Sequence, residues 1–105
     1  MPQPLIDITP AQWSILSELL HRLLPSYTVW AFGSRARWTA KPHSDLDLAV
    51  ITEQALDWRI SAELTDALAE SDLPFKVDIV DWASTSLAFR NIIGQDKVVL
   101  QEAQT

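Results

Sequence analysis

The sequence predicts a small α/β (α+β) fold: a mixed β-sheet of three to four strands flanked by helices. Two segments carry apolar residues at helical spacing, residues 10–24 and 56–70. Three short runs, 27–32, 45–51 and 75–80, are β-branched, aromatic or alternating. Prolines and glycines fall mostly at the joins between these segments. The resulting order, α–β–turn–β–α–β–α, implies a layered domain with helices on one face of the sheet. A chain of 105 residues has the length for one domain, taken as 1–105.

Thr9-Pro10-Ala11-Gln12 opens the first helix. Thr9 caps free amides, Pro10 suits the first helical position, and Gln12 stands where a capping box places Glu or Gln. Trp13, Leu16, Leu20, Leu23 and Leu24 then form one stripe, which Pro25 ends. Tyr27–Phe32 is apolar on both faces, as a central strand requires, and Gly33-Ser34 breaks it. Residues 35–44 read as a helical turn and a loop. In 45–51, Leu46, Leu48 and Val50 alternate with Asp45, Asp47 and Ala49. Ile60, Leu64, Ala67 and Leu68 mark the second helix. Phe75, Val77 and Ile79 then oppose Lys76, Asp78 and Val80 in a third strand. A last helix is expected from Ser84 or Thr85, with Gly94 as its left-handed C-terminal residue. Residues 97–100 suggest a short edge strand.

Composition narrows the function. With 48% apolar and 21% charged residues the chain can bury a core. The absence of cysteine excludes disulfides, thiolate metal sites and a cysteine nucleophile. Eight Lys and Arg against fourteen Asp and Glu give a net charge of −6, which argues against direct nucleic-acid binding. The apolar runs are too short to cross a bilayer, and Met1-Pro2-Gln3-Pro4 is unlike a signal peptide, so a cytoplasmic location is expected.

Within this acidic chain some charges are grouped. Asp45 and Asp47 leave the same face of one strand, and Asp78 lies mid-strand in another. If those strands are neighbours, three carboxylates converge, and their mutual repulsion calls for a cation. Hard oxygen ligands of this kind suit Mg²⁺ or Mn²⁺. A bare Asp-x-Asp is more often bland, with Asp45 a strand-start residue, Asp47 a solvated strand residue and Asp78 an edge-strand charge. Upstream, Gly33-Ser34 ends a strand and opens a helical turn, where glycine allows close backbone approach and amides with a hydroxyl hold phosphate. Arg35, Arg37 and Lys41 gather three of the eight positive charges within seven residues. They suit a triphosphate or a solvated loop. His21 reads as a solvated helix residue and His43 as a loop residue, with approach to a phosphate or the metal shell its alternative, while Lys76 either meets phosphate or offsets the aspartates.

Gly33-Ser34, ten intervening residues and Asp45-Leu46-Asp47 together reproduce the G-S-x10-D-x-D signature of the DNA polymerase β-like nucleotidyltransferases. The string from Gly33 to Val50 resembles their minimal nucleotidyltransferase (MNT) domains, and Asp78 matches the third carboxylate. The resemblance implies the palm-like nucleotidyltransferase fold and transfer of AMP from ATP with release of pyrophosphate. It implies that Asp45, Asp47 and Asp78 are catalytic and bind two Mg²⁺, and that Gly33, Ser34, Arg35 and Arg37 bind the nucleotide. One position departs: Trp38 stands where these domains often have glycine. Its ring narrows the pocket or offers a docking surface.

MNT chains of this size are typically paired with a helical HEPN toxin. The resemblance therefore implies an antitoxin that adenylylates (AMPylates) a tyrosine of a HEPN RNase, in a hetero-oligomer. The alternative is a non-catalytic antitoxin acting by occlusion; a third reading is transfer to a small molecule. Five tryptophans suit a partner surface, with Trp38 in a polar loop, Trp58 off the helical stripe and Trp82 after a strand. Each also has a plain packing explanation.

Overall fold

A computed structural model of the chain describes residues 3–104. Met1 and Pro2, in the segment weighed above as a signal peptide, lie outside that range. The elements are α1 (Pro10–Leu23), β1 (Thr28–Phe32), α2 (Ser34–Arg37), β2 (Leu46–Ile51), α3 (Trp58–Glu70), β3 (Val77–Asp81), a 3-10 turn (Trp82–Ser84), α4 (Leu87–Asp96) and β4 (Val98–Gln101).

The capping box at α1 is complete: Thr9 Oγ1 accepts from the Gln12 amide at 3.1 Å, and Gln12 Oε1 accepts from the Thr9 amide at 2.9 Å. The sheet runs β3-β2-β1-β4. β1 is antiparallel to both β2 and β4, whereas β2 and β3 are parallel and joined through α3. On one face, Val29, Ala31, Leu46, Leu48 and Val50 meet Leu16 and Leu20 of α1 and Leu64 and Leu68 of α3 in the main core. Leu16, Leu20, Leu46, Leu48 and Leu64 are wholly buried, each stabilising the fold by about 1.5–3 kcal/mol.

The structure departs from the sequence reading in three places. Helices cover both faces of the sheet, because Phe32 and Ala49 on the second face pack with Ile93 of α4, flanked by Trp30, Ile51, Val80 and Trp82. Gly94 lies inside α4 and not at its end; the helix runs on to Asp96, and Gly94 lacks a positive φ. The same helix starts later than expected. Thr85 Oγ1 donates to the Trp82 and Asp81 carbonyls at 2.7 and 3.0 Å, closing the 3-10 turn, and Ser86 caps α4 through the Phe89 amide at 3.2 Å.

Asp81 ties the far ends of the two parallel strands. Its carboxylate accepts from Thr52 Oγ1, from the Leu56 amide at 2.7 Å, from the Ala83 amide at 3.2 Å and from Ser84 Oγ at 3.2 Å. Burial pushes this carboxyl up, but those donors to the charged form outweigh it, and its pKa is lowered overall. At the other edge Gln101 Nε2 donates to the carbonyls of Leu24 and Tyr27 at 2.7 and 3.0 Å, fastening β4 to the α1–β1 turn.

Candidate active site

The site forms where β1 ends. Phe32 pairs with Asp47, and Asp47 pairs in register with Asp78 on the parallel neighbour β3. Adjacency of these two strands, which the sequence left open, therefore brings both carboxylates to one patch of the α4-side face. Asp45 stands one residue before β2 and is exposed. Gly33, directly after Phe32, has φ +79° and ψ −157°, a region essentially closed to other residues. A β-carbon there would run into the Asp47 carboxylate, meeting its Cγ at 3.2 Å. The Gly33 carbonyl accepts from the Ala36 and Arg37 amides at 3.1 and 3.0 Å, turning the chain into α2 with Ser34 as its first residue. Among the described residues the Ser34 hydroxyl has no hydrogen-bond partner.

Charges meet around Asp47. Burial, then the negative charges of Asp78 and Asp45, push its carboxyl above the ordinary range, and Arg37 offsets part of this. Lys76 Nζ pairs with Asp78 Oδ1 at 3.2 Å, the second of the two readings weighed for it. Arg37, half exposed, reaches Asp96 Oδ2 of α4 at 3.3 Å.

Arg35 departs from the phosphate-binding role expected of it. Its guanidinium is buried over the Phe75 ring, 4.1 Å from the centroid. It donates to the carbonyls of Asp7 at 2.9 Å, Pro42 at 3.3 Å and Ser44 at 2.8 and 3.1 Å. Those bonds fix the 35–44 loop onto the core and leave Arg35 a structural residue. Lys41 and His43 are exposed in that loop. His21 is exposed on α1, where Nδ1 meets Gln104 Nε2 at 3.0 Å.

Of the tryptophans, Trp82 packs edge-on to Trp30 at 5.2 Å, so the packing explanation holds for it. Trp58 and Trp38 are 73% and 60% exposed. Trp38 has φ +60°, which explains why glycine suits this position, and its Nε1 donates to the Leu5 carbonyl at 3.3 Å. Sequence reading missed Asp96, which lies 59 residues beyond Arg37 and has no local motif to mark it.

The donor set fits divalent cations in kind. The oxygens are hard carboxylates, the charge on Asp47 is opposed by both its acidic neighbours, and only glycine leaves room beside it. Among the described residues no three acidic or histidine side chains already close around an ion position.

The family model for "Polymerase beta, Nucleotidyltransferase" matches residues 16–105. A Haemophilus influenzae protein named "Probable protein adenylyltransferase MntA" is 50% identical over 99 residues, covering 94% of this chain and 87% of that one. A toxin–antitoxin crystal structure with AMP-PNP superposes with a TM-score of 0.72 at 30% identity, over 88% of this chain and 74% of that one. A Shewanella oneidensis complex of a tri-AMPylated HEPN toxin with an MNT antitoxin shares the fold, with a TM-score of 0.59 at 24% identity over 90% and 72% of the two chains.

Proposed function

The chain belongs to the polymerase β nucleotidyltransferase family, and on that premise we propose that it is a Mg²⁺-dependent protein adenylyltransferase. Its reaction is transfer of AMP from ATP to a tyrosine of a HEPN-domain RNase toxin, for which it serves as antitoxin. The observation that carries the reading is the register of Asp47 with Asp78 beside Gly33. It sets two carboxylates against a loop that only glycine can form, and so against the place a polyphosphate can approach closely. The 50% identity to a protein named an adenylyltransferase supports AMP as the transferred group. The likeness to a toxin–antitoxin complex holding AMP-PNP supports ATP as the donor.

In this reading residues 1–105 work as one catalytic domain. The Ser34 hydroxyl and Arg37 guanidinium bind the terminal phosphates. Asp45, Asp47 and Asp78 would hold two Mg²⁺, with Mn²⁺ a workable substitute. Those ions, when bound, supply charge stabilisation for the attacking and leaving oxygens. The tyrosine oxygen forms a bond to the α-phosphorus as the bond from that phosphorus to the bridging oxygen of pyrophosphate breaks. The hydroxyl proton passes to the Asp78 carboxylate, and pyrophosphate leaves. The chain's own contribution is chiefly position, which suits an in-line displacement at phosphorus. No helix among the described residues is long and apolar enough to cross a membrane. The proposed reaction belongs to the cytoplasm, where ATP and an RNase toxin meet.

The test is to incubate the chain with its HEPN partner, Mg²⁺ and ATP labelled at the α-phosphate. Label is expected on a partner tyrosine, with none when Asp45→Asn or Asp47→Asn replaces the wild type. Toxin inhibition that survives both substitutions without label would overturn transfer in favour of occlusion.

A further inference from the structure

Arg35 and Arg37 lie two residues apart on one helical turn, yet their donors are used very differently. The side-chain hydrogen bonds of Arg35 all go to backbone carbonyls. Arg37 makes one bond, from NH1 to Asp96 Oδ2. Among the described residues nothing takes its remaining N–H groups. Arg37 belongs to the turn that Gly33 opens: its amide donates to the Gly33 carbonyl at 3.0 Å, and Gly33 lies against the Asp47 carboxylate, so this residue sits beside the carboxylate patch.

Asp96 is the last residue of α4. A carboxylate there faces the negative end of the helix dipole, so its position does nothing for the helix itself. It also adds an acid to a neighbourhood already short of cations. A half-exposed ion pair of this kind contributes little to folding. What the contact does supply is order: it pins one corner of a planar fork and leaves the other donors free, the geometry that suits bidentate binding of phosphate oxygens.

We propose that Asp96 is a positioning residue for nucleotide binding: from the end of α4 it holds the Arg37 guanidinium so that its free edge meets the polyphosphate of ATP. The inference rests on the nucleotidyltransferase reading above. It assigns α4 a part in the site, although α4 contributes no group that touches the reacting atoms.

The test uses the chain with its HEPN partner and compares wild type, Asp96→Ala, Asp96→Glu, Arg37→Ala and the Arg37→Ala/Asp96→Ala double variant. Initial rates of AMP transfer give KM for MgATP and kcat, and calorimetry gives the affinity for AMP-PNP. Asp96→Ala is expected to raise KM roughly fivefold with kcat little changed, the size of leaving one long side chain unordered. Asp96→Glu should restore most of that loss. In the Arg37→Ala background, removing Asp96 should change nothing further. Thermal unfolding of Asp96→Ala should match wild type within about a degree or two, and a larger drop shared by Asp96→Glu would assign the residue a merely structural role. An unchanged KM in Asp96→Ala, or effects of the two alanine variants that multiply, would overturn the inference while leaving wild-type transfer intact. A wild-type protein that neither labels its partner nor binds AMP-PNP would remove the parent reading and this one together.

Discussion

Replacing Gly33 by alanine tests the construction of the site more directly than removing a carboxylate does. The native φ of +79° with ψ of −157° is a conformation other residues adopt only at a strain of order 1–3 kcal/mol. The added methyl also meets the Asp47 carboxylate, whose Cγ lies 3.2 Å from its ideal position. Pairing on both sides holds the β2 backbone, so the clash is relieved by rotating the Asp47 carboxylate out of its place. Against this, alanine loses less conformational freedom on folding than glycine, recovering about 0.5–1 kcal/mol. The net expectation for Gly33→Ala is a loss of about 2 kcal/mol in urea denaturation, together with loss of AMP transfer as Asp47 is displaced. Gly94→Ala is the matched control. Gly94 lies inside α4 with nothing within 4 Å of an added β-carbon, so alanine should stabilise by about 0.5–1 kcal/mol and leave transfer unchanged. A Gly33→Ala protein with wild-type stability and full activity would refute the reasoning, since both the dihedral and the close approach would then be immaterial.

Arg35→Lys should destabilise by about 2–3 kcal/mol in denaturant titration, because a lysine cannot serve the carbonyls of Asp7, Pro42 and Ser44 together. Arg37→Lys should stay within about 0.5 kcal/mol of wild type while raising KM for MgATP, which separates the two arginines by role. Trp38→Gly should gain about 0.5 kcal/mol, as relief of the left-handed φ of +60° exceeds the extra chain entropy of glycine. Asp81→Ala should lose about 1–2 kcal/mol at pH 7, leaving the donors from Leu56, Ala83 and Thr52 without their acceptor. Asp81 has a folded pKa below its unfolded value, so its contribution is present above about pH 4 and disappears as pH falls through the folded pKa. Stability curves of wild type and Asp81→Ala should therefore converge in acid.

Much of this architecture is legible in local patterns. The capping box at Thr9 and Gln12, the alternation of Leu46, Leu48 and Val50, and the strand break at Gly33 are all set by neighbouring residues. The two-sided covering of the sheet was half visible, since Trp30 and Phe32 are as apolar as Val29 and Ala31, but nothing nearby says that α4 supplies the second cover. Gly94 misled because glycine inside a helix reads in sequence like glycine after one. The two arginines were separable in principle: residues two apart on a helix point about 200° away from each other, so both cannot face one phosphate. The match of Asp47 to Asp78, and the reach of Asp96 to Arg37, depend on long-range pairing that no local pattern encodes.

Because Asp47 and Asp78 meet through strand register, their alignment is checked by the core itself. A slip of β3 by one residue would turn Asp78 toward α1 and α3 and present Val77 or Ile79 to the site. A charge in the core would then oppose folding, so a one-residue slip of this kind is disfavoured by the same packing that builds the fold. The packing that buries Val77 and Ile79 thereby also proofreads the site, since the odd-numbered slip that would part the two carboxylates costs the core as well.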